Sequence, residues 1–276
     1  MIATLDGVYA GLQPRRAFNK VSTAVVIGIP HSFWYEGGNP PAGAAPVTNQ
    51  YLGTPLSSSS GLITGQIPHY DPLSGDSSYL ARFQAAASQP GTLMLCDRLL
   101  QSDSISNTGA AIDVTSTSEQ FFNTAPMSRP LPGSSGVDVL CGFEVVSTTG
   151  AGTPTIALKY TNSDSVALRS AALIDPIVGS KPPGTFFRFG LQSGDVGIKS
   201  VNSITLSATM TSGSVAIVLY RVLASLELVA GGITNALDAL TSGFPQILNG
   251  AVPFLIFIPS ATSNVFINGE YVETQG

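Results

Sequence analysis

The chain has 276 residues, of which 43% are hydrophobic and only 11% charged, with a formal net charge of −5 and 29 Gly and 19 Pro. A soluble domain ordinarily carries about 25% charged residues, so this surface is unusually neutral and suits an assembly better than a lone monomer. A net acidic chain without a basic cluster has no means of releasing the counterions of nucleic acid, so nucleic acid is excluded as the main partner.

Residues 1–76 read as irregular. An apolar piece, VSTAVVIGIP, is followed by HSFWYEGGNPPAGAAP and by PLSSSSGLITGQIP, with prolines at 40, 41, 46, 55 and 68. Prolines at that density break any long element. A loop of this length inside a compact domain is uncommon, so the segment is expected to be an extended arm lying on a neighbouring subunit. The residues expected to make that contact are Arg15, Arg16, Lys20, Val25, Val26, Ile27, Phe33, Trp34 and Tyr35. Charge adds to this: residues 1–20 hold Arg15, Arg16 and Lys20 against Asp6, while residues 222–276 hold Glu227, Asp238, Glu270 and Glu273 and no base. A basic head and an acidic tail are expected to meet between subunits.

Residues 76–87, DSSYLARFQAAA, predict a short helix capped by Ser77 or Ser78, with Tyr79, Leu80, Phe83 and Ala86–Ala87 on one face. From Gly91 the pattern turns to β. Strands are predicted over 92–100, 137–147, 154–161, 166–174, 185–191, 201–210 and 214–228, separated by Gly/Ser/Thr/Asn/Pro loops. In 200–228 the alternation of Ile204, Leu206, Ala208 and Met210 with Ser and Thr marks a half-buried strand. The denser apolar run from Val215 marks a strand covered on both faces. The two form a hairpin or a pair of sandwich strands. Residues 232–240, GITNALDAL, predict a helix with Thr234 as its cap. The remainder predicts two or three short strands, with Asn268–Gly269 as a turn. The fold class is therefore mainly β: a β-sandwich or jelly-roll-like body over 77–230, an extended N-terminal arm over 1–76, one or two short helices, and C-terminal strands within 231–276 packing on the body.

The sequence is poor in chemistry. His31 and His69 lie beside prolines; with Asp71 and Asp76 they make a weak metal set. No C-x-x-C, nucleophile elbow, P-loop or dinucleotide-binding glycine pattern occurs. Asp97, Asp113, Asp138 and Glu144 lie in or near strands, yet nothing marks two of them as an acid pair of the kind a glycosidase needs. Cys96 and Cys141 sit in apolar runs and read as buried free thiols. Trp34 is the lone tryptophan, and with Tyr35, Glu36 and Asn39 it is the best sugar-binding set; a packing anchor is the commoner role. The opening MIATLDGVYAGLQPRR has no continuous apolar region, so no secretory signal is expected. The longest apolar run, VPFLIFIP, falls short of the roughly 20 residues a spanning helix needs. A chain made in the cytosol, without cofactor, metal or membrane partner and without enzymatic activity, is expected.

Several segments, YLARFQAAASQPGTLMLCDRLL, TGAGTPTIALKYTNS, GDVGIKSVNSITLSATMTSGSVAIVLYRVLASLEL, ALTSGFPQILNGAVPFLIFIPSAT and the terminal ETQG, resemble a family of tailed-bacteriophage virion structural proteins. The likeness runs from about residue 78 to the C-terminus, with an echo in MIATLDGVYAGLQP, and carries no catalytic motif. It implies a place in the virion, on the head, as a decoration or cement protein repeated as a homotrimer or other homo-oligomer and bound to the major capsid protein or other virion proteins. A tail, neck or spike component shares the same composition. A glycan- or receptor-binding sandwich is the alternative outside that class.

Overall fold

A computed structural model describes residues 4–45, 54–58, 62–72, 76–102, 104–106, 120–121 and 136–276. The first elements are α1 (Leu5–Ala10), β1 (Arg16–Ala24), β2 (His31–Ser32), β3 (Gly37–Asn39), β4 (Thr54–Pro55), β5 (Ser78–Ala87), β6 (Gly91–Gln101), β7 (Ile105–Ser106) and β8 (Gln120–Phe121). Then come β9 (Leu140–Ser147), β10 (Ile156–Asn162), β11 (Arg169–Leu173), β12 (Phe186–Gly190), β13 (Ile198–Leu206) and β14 (Ser214–Leu228). The chain ends with β15 (Asn235–Asp238), α2 (Ala239–Ser242), β16 (Gln246–Ile247), β17 (Pro253–Pro259) and β18 (Asn264–Gln275). The fold is mainly β, with antiparallel sheets and two short helices among the described residues.

The chain divides into two units that are not consecutive in sequence. Unit 1 holds Met1–Gly43, Ser57–Asp97 and Val222–Gly276; unit 2 holds Ala44–Leu56 and Arg98–Arg221. Unit 1 is a β-sandwich. One sheet runs β15-β5-β18-β1-β3 with β16 also on β5; the other runs β2-β17-β6 and on to the 222–228 end of β14. Phe18, Phe83, Ile267 and Tyr271 from the first sheet meet Leu93, Leu95, Leu223, Leu255 and Phe257 from the second in one buried core. Period-two alternation delivers them: along β18, Val265, Ile267 and Tyr271 point inward while Asn264, Phe266 and Asn268 stay exposed. In unit 2 the strand order is β14-β9-β12-β11-β10-β13-β8. Residues 214–221 of β14 are buried on both faces, as their unbroken apolar run predicts.

The structure corrects four sequence expectations. Residues 78–87 form a strand rather than a helix. Opposite Ala81 the pairing with β18 slips by one residue, so that Val272 faces Arg82 and Glu273 faces Leu80. This bulge puts Leu80 and Phe83 on the same side, three apart, which imitates helical spacing. In 232–240, Asn235–Asp238 is a strand on β5, and the one-turn α2 follows it, capped by Asp238 rather than Thr234. Of the two arrangements expected for β13 and β14, the hairpin does not form: β13 pairs with β10, and β14 with β9.

Asn268–Gly269 is not a turn either, because β18 runs straight through it. A Cβ at Gly269 would lie 2.6 Å from the Phe18 ring and 2.4 Å from the Gln84 carbonyl oxygen. The glycine is there for space, letting Phe18 lie against the strand. Gly269→Ala is therefore expected to cost about 2–3 kcal/mol through overpacking, read as a lower urea midpoint at unchanged slope. Asn268→Thr, on an exposed strand position, is expected to stay within about 0.5 kcal/mol, whereas a true turn would lose far more.

Candidate functional site

The nine residues predicted to form a subunit contact all belong to unit 1. β1 lies between β18 and β3 in the first sheet, so residues 16–43 are part of the sandwich and not a free arm. Phe18, Val25, Phe33 and Trp34 are buried. The indole of Trp34 stands edge-on to Phe254 at 6.3 Å, and Gly43 packs so closely that an added Cβ would come within 2.4 Å of its Nε1. Arg16 lies over the Tyr70 ring, 3.1 Å from its centroid. Val26 and Tyr35 are half-buried; Arg15 and Ile27 alone among the nine are well exposed. The basic head and acidic tail do meet, but within one chain: Arg15 Nη1 lies 3.4 Å from Glu270 Oε2 across the β1–β18 pair.

Lys20 shows what the strand does with its charge. Its side chain turns inward and Nζ donates to the carbonyl oxygens of Glu36 at 3.0 Å and Pro41 at 3.4 Å. Burial lowers its pKa to about 8, against the opposing pull of the Glu36 carboxylate. Glu36 Oε1 in turn accepts from Thr23 N and Oγ1 and faces His31 Nε2 at 2.7 Å. The amine thus ties together the turn that seats Trp34.

The two histidines are separate. His69 Nδ1 lies 2.9 Å from the buried Glu273 carboxylate, and Nε2 stands 3.2 Å from Asp71 Oδ1 without hydrogen-bond geometry. Asp71 Oδ1 accepts from Gly250 N. Tyr271 donates to the Pro68 carbonyl oxygen at 2.6 Å, and burial together with Glu273 pushes its phenol well above its ordinary range. No group of three or more His, Cys, Asp or Glu among the described residues is placed to hold a metal.

Two of the four acids weighed as a catalytic pair, Asp97 and Glu144, have structural partners. Asp97 Oδ1 accepts from Val252 N at 2.9 Å. Glu144 is buried against Arg98 Nη2 at 2.5 Å, while Gln101 accepts from the same guanidinium. Asp138 occupies a left-handed turn at φ 61°; Asp113 lies outside the described residues. Cys96 and Cys141 are buried free thiols whose pKa values burial drives upward.

Unit 2 holds an arrangement that sequence reading missed. Asp195 accepts from Tyr160 OH at 2.5 Å, Arg169 Nε at 3.0 Å and Asn162 Nδ2 at 2.8 Å, and these bonds pull its pKa down to about 2. The knot fixes the β10–β11 turn against the β12–β13 loop, and the two loops carry the exposed Val166, Leu168 and Val196. At the other end of the same two strands, Pro154, Ile156, Leu173, Ile174, Asp175 and Ile177 line a cavity of about 310 Å3. Asp175 is held there by Arg188, with Nη2 to Oδ1 at 2.7 Å. The one signal in the sequence was Leu168 within a polar turn, SDSVALRS.

No family model matches the chain, and no curated relative matches it. Among solved structures, the infectious bursal disease virus VP2 subviral particle overlaps 95% of this chain and 81% of that one, at 10% identity and a TM-score of 0.19. A structure of the Gt strain of that virus overlaps 96% and 82%, at 10% identity and a TM-score of 0.14. Scores this low define no shared fold and carry no argument about the chain. The resemblance to tailed-phage virion proteins has no matching family model or curated relative beside it.

Lys20 gives a pH test of unit 1. Its folded pKa of about 8 lies below the ordinary 10.5. The folded state therefore binds fewer protons than the unfolded state between those values, and stability rises with pH across that window. The difference in urea midpoint between the natural protein and Lys20→Met is expected to grow in favour of Lys20 from pH 8 to 10. A pH-independent difference would contradict a buried, depressed amine.

Proposed function

We propose that the chain is a non-enzymatic structural protein of a tailed-phage virion, decorating the head through contacts with the major capsid protein and with its own copies. One observation carries the reading: a chain with 11% charged residues engages acids such as Glu144, Asp97 and Asp175 in internal bonds and leaves large apolar side chains outside. α1 is the clearest case. Leu5 and Tyr9 are 65% and 67% exposed, and no residue of the helix is buried. It is held on by main-chain and polar bonds, with Thr274 Oγ1 donating to the Val8 carbonyl oxygen, Gln13 N to that of Glu273 and Gln275 N to that of Gly11. A helix anchored through its backbone with its apolar side chains facing out is suited to a flat protein partner, with about 25 cal/mol for each Å² covered.

The subunit contact expected of the N-terminal segment narrows to this helix, since removing β1 would open the sandwich. The test is a Leu5→Glu/Tyr9→Glu double variant added to particles lacking the protein. The natural chain is expected to bind with a copy number tracking that of the major capsid protein, and the double variant at least tenfold less, with both melting at the same temperature. Full occupancy by the double variant would overturn the role of α1; a small fixed ring of copies would move the protein to the neck or tail. Burial of Trp34 leaves the glycan reading without its aromatic platform.

A further inference from the structure

Leu168 bears two costs at once. It is 63% exposed, and its backbone lies in the left-handed region at φ 58°. That region suits Gly or Asn, and a bulky aliphatic residue there is strained. Strain of this kind persists where the surroundings hold it in place and where it serves a contact. The surroundings here are specific: Leu168 N donates to Asn202 Oδ1 at 3.4 Å, Asn162 Oδ1 accepts from Val166 N at 2.8 Å, and the Asp195 knot locks the adjoining loop. Val166 and Val196, both about half exposed, flank the strained leucine and complete an apolar knob.

A cavity lies at the opposite end of β10 and β11. The seven residues of β10 separate the two ends by about 20 Å at roughly 3.4 Å per residue. Its volume of about 310 Å3 is at the low end of the range for small-molecule pockets, larger than one leucine side chain needs. Ile174 on its rim is 60% exposed. Charge permits the two unlike ends to meet. Arg188 neutralises the one acid lining the hole, and Arg169 does the same for Asp195 at the knob. Lys199 Nζ, nearby, bonds Ser165 Oγ at 3.0 Å.

We infer that copies of this chain join head to tail, the Leu168 knob of one copy entering the Ile174 cavity of the next. Such a contact is heterologous: it closes into a ring or continues as a filament according to the rotation between copies. The inference rests on the structural-protein reading for its setting and names a second copy as the partner.

The test is the mass distribution of the full chain by sedimentation across a concentration series. The natural protein is expected to grow beyond a monomer. Leu168→Gly is expected to weaken association by about thirtyfold or more while melting at the same or a higher temperature, because glycine accepts the left-handed backbone. Ile174→Asp, on an exposed rim, is expected to weaken it equally. An equimolar mixture of the two variants retains one working knob and one working hole, and is expected to give a dimer and nothing larger. A monomeric natural protein, unchanged association in either variant, or a mixture that stays monomeric overturns the contact. Particle incorporation, read separately, stands or falls by itself.

Discussion

The antiparallel pairing of β1 with β18 is the constraint on which unit 1 depends. It joins Arg16–Ala24 to Asn264–Gln275 in a register running from Arg16 opposite Tyr271 to Ala24 opposite Asn264. Closing a loop that long costs entropy before any contact is gained, so this pairing is expected to form late. Once made, it lays Phe18 against Gly269, lets Ser22 Oγ accept from Val265 N, and sets Arg15 beside Glu270. β18 then pairs on its other side with β5, and its Glu273 reaches His69. The anchor of α1 depends on the same strand, through Thr274 and Gln275.

Unit 2 uses its few charges differently. Arg98 with Glu144, Arg169 with Asp195 and Arg188 with Asp175 each tie two segments together. Only Arg98 with Glu144 is fully buried; such a pair is weak evidence of stability, since desolvation opposes the Coulomb gain, yet removing one partner there costs about 3–5 kcal/mol. The effect of the three pairs is to hold particular strands and loops in one arrangement. Carboxylates engaged in this way, and thiols raised far out of their reactive range, are poor material for acid–base or nucleophilic chemistry.

Much of the β architecture was legible because alternation and unbroken apolar runs are local signals. Residues 214–228 match β14 from end to end, and β6, β9, β10 and β12 fall within a few residues of expectation. What was hidden is set by distant partners. The bulge at Ala81 depends on β18 and disguised a strand as a helix. Gly269 reads as a turn until Phe18 is seen beside it. The prolines around Trp34 suggested an arm, yet Lys20 and Gly43 fold that segment back on its own sandwich. The exposed knob and the cavity carry no motif, and only the left-handed backbone at Leu168 distinguishes one apolar turn residue from another.

The central claim is that the N-terminal segment belongs to the core of its own chain. Trp34 is the sole tryptophan and is 2% exposed, so its fluorescence reports on that segment alone. The direct measurement is acrylamide quenching of Trp34 emission over a dilution series reaching the monomer. Emission that stays blue-shifted and weakly quenched at every concentration is the predicted result. Quenching that rises as the protein is diluted would show the indole buried by a neighbour, and would contradict the account.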